Sequence, residues 1–163
     1  MDKITEKIWL GNYASSVNIP NLKKEGIKKI LGIIDVKAPK YKKEDNFIQK
    51  IVTIRDSPVD NIIRYLGDCL NFIDGNEKVL VHCMAGKSRS ATIVIAYIMW
   101  TQKKNFQDAM NLVSQKRPSI FLNFGFRDQL KMFEKLLNEN NYDLNKINCK
   151  NIKWKATSTS FNW

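Results

Sequence analysis

The chain has 163 residues, 44% of them apolar, with 27 Lys and Arg against 16 Asp and Glu for a formal net charge of +11. A chain of this length is about one domain and buries roughly 70% of the surface it would expose unfolded, so neither disulfides nor a structural metal is needed to stabilise it. The positive charge favours anionic partners such as phosphoproteins, phospholipid headgroups or nucleic acid, without choosing among them.

Three scattered cysteines, Cys69, Cys83 and Cys149, argue against both a disulfide framework and a zinc site, and the single histidine, His82, excludes metal clusters that need two. The N-terminus lacks a charged-then-apolar leader, Asp2 stands where myristoylation needs glycine, and no apolar run approaches the ~20 residues that span a bilayer. The expectation is a soluble protein of a reducing compartment, cytoplasmic or nuclear, with no transmembrane segment.

In chain order, the alternation of Ile4, Ile8 and Leu10 predicts an edge strand. Gly26 marks entry into a second, more buried strand over 27–34. Residues 37–45 are charged and broken by Pro39, and predict a loop before a third strand at 47–54. Ile62, Leu66, Cys69, Leu70 and Ile73 share one helical face behind Asp60 and Asn61, which suit an N-cap; Gly75 ends that helix. Lys78-Val79-Leu80-Val81 is short and β-branched, as a buried central strand requires. From Ser90 to Trp100 the chain is apolar almost all round, which predicts a helix in the domain centre. Two amphipathic helices are expected at 106–115 and 126–137, separated by Arg117-Pro118. The sum is an α/β domain, residues 1–138, followed by a polar Asn/Lys-rich tail at 139–163 that is expected to pack poorly, with Trp154, Phe161 and Trp163 as anchors.

The stretch after the central strand, Val81-His82-Cys83-Met84-Ala85-Gly86-Lys87-Ser88-Arg89-Ser90, carries the chemistry. Gly86-Lys87-Ser88 ends like a nucleotide-binding loop, but that motif needs a glycine five residues before Gly86, where Val81 stands. Cys83 starts a different reading. His82 leaves the strand on the opposite face and is badly placed as its base. A loop of small residues can turn its N–H groups inward, and a helix beginning near Ser90 adds its positive end; both favour a thiolate and bind phosphate oxygens. Arg89 brings a planar fork that suits two phosphoryl oxygens.

His82-Cys83-(x)5-Arg89-Ser90 resembles the active-site loop of cysteine-dependent phosphatases, and in its HCxAGxSRSAT form the dual-specificity protein phosphatases. The likeness extends over residues 3–137, through Ile8-Trp9-Leu10-Gly11-Asn12, Ala96-Tyr97-Ile98-Met99, and Arg117-Pro118-Ser119-Ile120 with Asn123, Phe126, Gln129 and Leu130. The resemblance implies a mostly parallel central sheet of about five strands flanked by helices, in the protein tyrosine phosphatase-like fold. It further implies hydrolysis of phosphotyrosine and phosphoserine or phosphothreonine through a phosphocysteine, without cofactor or metal. Cys83 is then the nucleophile and Arg89 the phosphoryl-binding residue. Backbone amides of Met84, Ala85, Gly86, Lys87, Ser88 and Arg89 form the cradle, and Ser90 bonds the cysteine sulfur. The leaving oxygen needs a proton donor; the family's acid matches Asp56, with Asp60 as fallback because Asp60 stands at a helix cap. His82 is expected to orient the loop through hydrogen bonds, Ser90 to double as N-cap, and Asn123 to brace the loop, although Leu122 replaces the proline usual before it.

Other features have plainer readings. Cys69 lies on an apolar face and reads as core, Cys149 as an exposed tail residue, and the lysine clusters as solvated faces. Lys87 is different: a cation inside the loop resembles phosphatases of phosphoinositides, yet such loops can carry another lysine at the position of Met84. Phosphoprotein substrates lead, phosphoinositides follow, and a non-catalytic phosphoprotein-binding module is the alternative of another class. Nucleic acid is not expected, because no platform of aromatic residues interleaved with basic ones is present. No motif sets the oligomeric state.

Overall fold

The computed structural model describes residues 1–157, so Phe161 and Trp163 lie outside the described residues. Five strands form one sheet: β1 (Asp2–Lys3), β2 (Ile8–Gly11), β3 (Ile27–Ile34), β4 (Ile48–Thr53) and β5 (Lys78–His82), in the order β1-β2-β5-β3-β4. Only the β1–β2 pair is antiparallel; β2, β3 and β4 run parallel to β5 and to each other, with a register irregularity between Ile27 and Lys29 on β3. This is the expected α/β architecture. The predicted edge strand is instead two strands, and β2 is interior, fully buried between β1 and β5. The chain breaks at 4–7, where Ile4 and Thr5 both donate to the Ile8 carbonyl.

Successive side chains of a strand face opposite ways. Ile8 and Leu10 on β2 and Val79 and Val81 on β5 join the larger core, while Trp9 and Leu80 join Leu22, Ile27 and Ile30 on the other face. Two short helices, α1 (Tyr13–Val17) and α2 (Ile19–Glu25), connect β2 to β3 and were not foreseen. Asn12 and Asn18 cap them, with Pro20 in the first turn of α2 and left-handed Gly26 closing it. At five and seven residues, neither shows enough periods of apolar repeat to read from sequence.

The larger core is covered by α3 (Leu66–Ile73), α4 (Arg89–Gln102), α5 (Phe106–Lys116) and α6 (Phe124–Glu139). Helix α4 is buried from Arg89 to Met99, as its all-round apolar character predicts. Helix α3 begins later than expected: Ile63–Tyr65 form a 3-10 turn, and Asn61 rather than Asp60 accepts the local bond, from the Arg64 N–H at 3.3 Å. Helix α6 begins two residues earlier, with Asn123 as N-cap accepting from Phe126 N.

The expected poorly packed tail is corrected by the structure. Short 3-10 turns at Leu144–Lys146 and Cys149–Asn151 put Leu144, Ile147 and Cys149 into the main core. Three apolar residues spaced across a polar stretch are enough to seat it, although the composition reads as solvated. Cys149 is therefore buried, and burial raises its thiol pKa. Cys69 is core as expected, its thiol pushed up to about 12 by burial. No described helix is long and apolar enough to cross a membrane.

Candidate active site

The segment 83–88 leaves the C-terminal end of β5 and feeds the first turn of α4, so its backbone lies where strand carbonyl ends and a helix N-terminus meet. Cys83 is 1% exposed. Its sulfur accepts from the Ser90 hydroxyl at 3.1 Å and from the Gly86 N–H at 3.2 Å. Ser90 thus bonds the Cys83 sulfur as the resemblance implies, but it is not the N-cap; Arg89 already lies in α4 and Ser88 precedes it.

Two features curl the loop. Gly86 has φ of 67°, and a Cβ there would come within 2.5 Å of the Gly11 carbonyl oxygen, so β2 and the loop touch through backbone alone. Outside the loop, Arg117 donates from Nε to the Gly86 carbonyl at 2.8 Å and from Nη1 to Asp2 on β1. Pulling the Gly86 carbonyl outward leaves neighbouring N–H groups free to face inward. Tyr13 N donates to the Met84 carbonyl at 3.1 Å and Phe121 N to the Lys87 carbonyl at 2.9 Å, which fixes the loop on two further sides.

Arg89 is 5% exposed, and its Nη1 is held by Asp35 and by the Ile54 carbonyl at 3.0 Å. Its Nε is buried without a partner among the described residues, which leaves that donor for an anion. Arg89 in turn holds the Asp35 carboxyl below the usual carboxylate range, chiefly through the hydrogen bond, with burial opposing. Asp35 escaped the sequence reading. The available signal was its place directly after a buried strand adjacent to β5.

Asp56 reaches the loop through Ser88, whose hydroxyl donates to Oδ1 at 2.8 Å; Asn123 Nδ2 donates to the same oxygen at 2.7 Å. Asn123 also donates its backbone N–H to Ser88 Oγ at 3.3 Å, so it braces acid loop and phosphate loop together even with Leu122 before it. Asp60, the fallback acid, is neither cap nor part of this contact: it pairs with Arg55 at 3.2 Å, while its carbonyl accepts from the buried Gln129. The structure thus links the sequence-predicted residues Asp56, Ser88 and Asn123, and Cys83 with Ser90, while the fallback Asp60 pairs with Arg55 instead.

His82 is corrected. Neither ring nitrogen has a hydrogen-bond partner at good geometry; the ring is fully buried edge-on to Tyr13, 6.3 Å between centroids, and over Gly32, where a Cβ would lie 2.9 Å from Nε2. Burial lowers its pKa to about 4, the Cys83 backbone opposing weakly, so the imidazole is neutral at physiological pH. Among the described residues, what the ring packs against is Tyr13 and Gly32.

A buried thiol that accepts from a loop N–H and a serine hydroxyl, with a forked cation and a carboxylate tethered to the same loop, fits a cysteine-dependent phosphatase site. The sequence model described as "Dual specificity phosphatase, catalytic domain" matches residues 8–136. The chain is 35% identical to dual specificity protein phosphatase 1B of Arabidopsis thaliana, over 86% of this chain and 85% of that one. It is 36% identical to human dual specificity protein phosphatase 9 over 83% of this chain, but spans only 36% of that protein. In structure it is similar to the human tyrosine phosphatase-like serine/threonine/tyrosine-interacting protein, with TM-score 0.80 and 38% identity over 85% of this chain and 97% of that one. The chain belongs to the dual specificity phosphatase family and is a phosphatase.

Proposed function

We propose that the chain hydrolyses phosphotyrosine and phosphoserine or phosphothreonine in proteins through a phosphocysteine, in the cytoplasm or nucleus, where a free thiol such as Cys83 stays reduced. The observation that carries this is the pair of donors on Cys83 Sγ, from Ser90 and Gly86, at the base of a loop whose far end presents Arg89.

In the first step the sulfur attacks phosphorus in line. The S–P bond forms as the ester P–O bond breaks, and Asp56 protonates the leaving oxygen. The loop N–H groups and the Arg89 fork stabilise the equatorial oxygens. In the second step water attacks the phosphocysteine, Asp56 takes its proton, and sulfur leaves with its charge met by the Ser90 hydroxyl. Met84 is exposed within the loop, Phe121, 70% accessible, beside it, and Val59 on the segment that follows Asp56. That apolar rim suits side chains flanking a phosphoresidue and favours protein substrates. The phosphoinositide reading rests on Lys87, which is exposed on the same loop.

Phosphate release is measured for the protein, Cys83→Ser and Asp56→Asn on an aryl phosphate, phosphotyrosine and phosphothreonine peptides, and a phosphoinositide panel. Peptide turnover abolished by Cys83→Ser is expected; turnover surviving that change overturns the mechanism, and a preference for phosphoinositide overturns the substrate class. Tight phosphopeptide binding without turnover by the unmodified protein would make the loop a receptor.

A further inference from the structure

The acid loop, residues 55–61, is not held by the phosphate loop alone. Its far side is gripped by a segment beyond residue 136, where the match to the family ends. Trp154 donates its indole N–H to the Pro58 carbonyl at 2.8 Å, and Asn61 donates its side-chain N–H to the Ile152 carbonyl at 2.8 Å. From the opposite direction α6 closes against the same residue: a Cβ at Gly125 would overlap the Pro58 carbonyl, so helix and loop approach as nearly as glycine allows. Pro58 is thus clamped two residues from Asp56.

The clamp has a foundation. Leu144, Ile147 and Cys149 are buried in the main core, Lys150 pairs with Asp68 of α3 at 3.3 Å, and the Tyr142 carbonyl accepts the Trp100 indole N–H at 3.0 Å. An exposed loop without such support fluctuates at little free-energy cost. The acid must stay within hydrogen-bond reach of the leaving oxygen, and a misplacement of ~1 Å can cost about 10²-fold.

We infer that the C-terminal segment 144–154 is a positioning element of this enzyme, with Trp154 holding Pro58 so that Asp56 meets the leaving oxygen. The inference rests on the phosphatase reading and on Asp56 as the acid. The Trp154 indole N–H bonds the backbone of Pro58, so it acts through the acid loop. General-acid assistance matters most when the leaving group is a poor one, so a loosened acid loop must affect substrates unequally.

The test uses the full chain and Trp154→Phe, which keeps the ring packing and removes the donor. The quantity read is kcat/KM, which reports transfer to the cysteine, on phenyl phosphate and on an aryl phosphate with a strongly acidic phenol. The expected result is a loss of about tenfold on phenyl phosphate and under about twofold on the activated ester. In an Asp56→Asn background the same change is expected to alter neither rate, because the group it positions is gone. A truncation after residue 143, with thermal unfolding followed alongside, is expected to give the same substrate imbalance, larger. Equal losses on both substrates, or none, in an enzyme that Cys83→Ser inactivates overturn the inference alone. An unmodified protein without turnover overturns the phosphatase reading and the inference with it.

Discussion

Ser88 Oγ donates to Asp56 Oδ1 at 2.8 Å, so the phosphate loop and the acid loop are tied by a serine that stands at a helix N-cap position but does not cap it. A cap serine ordinarily bonds the helix's own N–H groups. Here the hydroxyl crosses to the neighbouring loop, and local helix stability is traded for the position of a carboxylate. Both Ser88 and Asn123 donate to Oδ1, so that oxygen is held by two side chains and Oδ2 takes part in neither bond.

Ser88→Ala and Asn123→Ser each remove one of these donors, and serine at 123 still offers an oxygen to cap α6. Each is expected to lower kcat/KM for phosphotyrosine peptides about fivefold, the equivalent of one hydrogen bond. Since the two share an acceptor, the double variant is expected to lose less than the product of the single losses. Unfolding midpoints should place both single variants within about 1 kcal/mol of the parent. Fully multiplicative losses would show that the two act separately.

Asp35 governs how Arg89 is presented. Its carboxyl is held below the ordinary value near 4, chiefly by the Arg89 hydrogen bond, so its contribution to stability is present above the unfolded pKa and disappears as pH falls through the lower folded value. Below about pH 4 the parent is therefore expected to lose stability more steeply than Asp35→Asn, measured by denaturant midpoints. The effect is small, because the Asp35 side chain is 38% exposed. At neutral pH, Asp35→Asn is expected to raise KM for an aryl phosphate about fivefold by loosening the guanidinium. Tighter inhibition by inorganic phosphate in that variant would show instead that Asp35 competes for the fork.

How much of this was legible follows the range of each signal. The strand–loop–helix around Cys83 is local and dense, so motif and periodicity reached Cys83, Arg89 and Ser90 together. The long strand β3 and helices α4 to α6 carry enough apolar repeats to be seen. Helices α1 and α2 are too short for that, and the interior place of β2 depends on its pairing with the two-residue strand β1, which carries no periodicity of its own. Asp35, Arg117 and the segment 144–154 enter the site only through tertiary contacts. Asp35 and Arg89 are 54 positions apart, Trp154 and Pro58 are 96, and no local pattern spans such a distance. The tail misled because composition averages over polar residues, whereas seating it needs only Leu144, Ile147 and Cys149.

His82 gives the sharpest pH test, because it is the only histidine in the chain. Burial lowers its pKa to about 4. An ordinary unfolded histidine titrates near 6.5, so between those values the unfolded chain binds a proton that the folded one does not. Stability is therefore fully present above about pH 6.5 and is lost as pH falls toward the folded value. For a shift from 6.5 to about 4 the linked loss is on the order of 3 kcal/mol. Carboxylates depressed by partners act mainly below that window, as Asp35 does. Two measurements check this. The two carbon-bound proton resonances of the one imidazole are expected to stay unshifted from pH 8 down to about 5.5, and the unfolding midpoint of the parent to fall across about pH 6.5 to 4. His82→Gln, which cannot titrate there, is expected to start less stable and to lack that slope. An imidazole that titrates near 6.5 in the folded protein would mean that water or another partner reaches the ring, and that His82 holds the loop by hydrogen bonds after all.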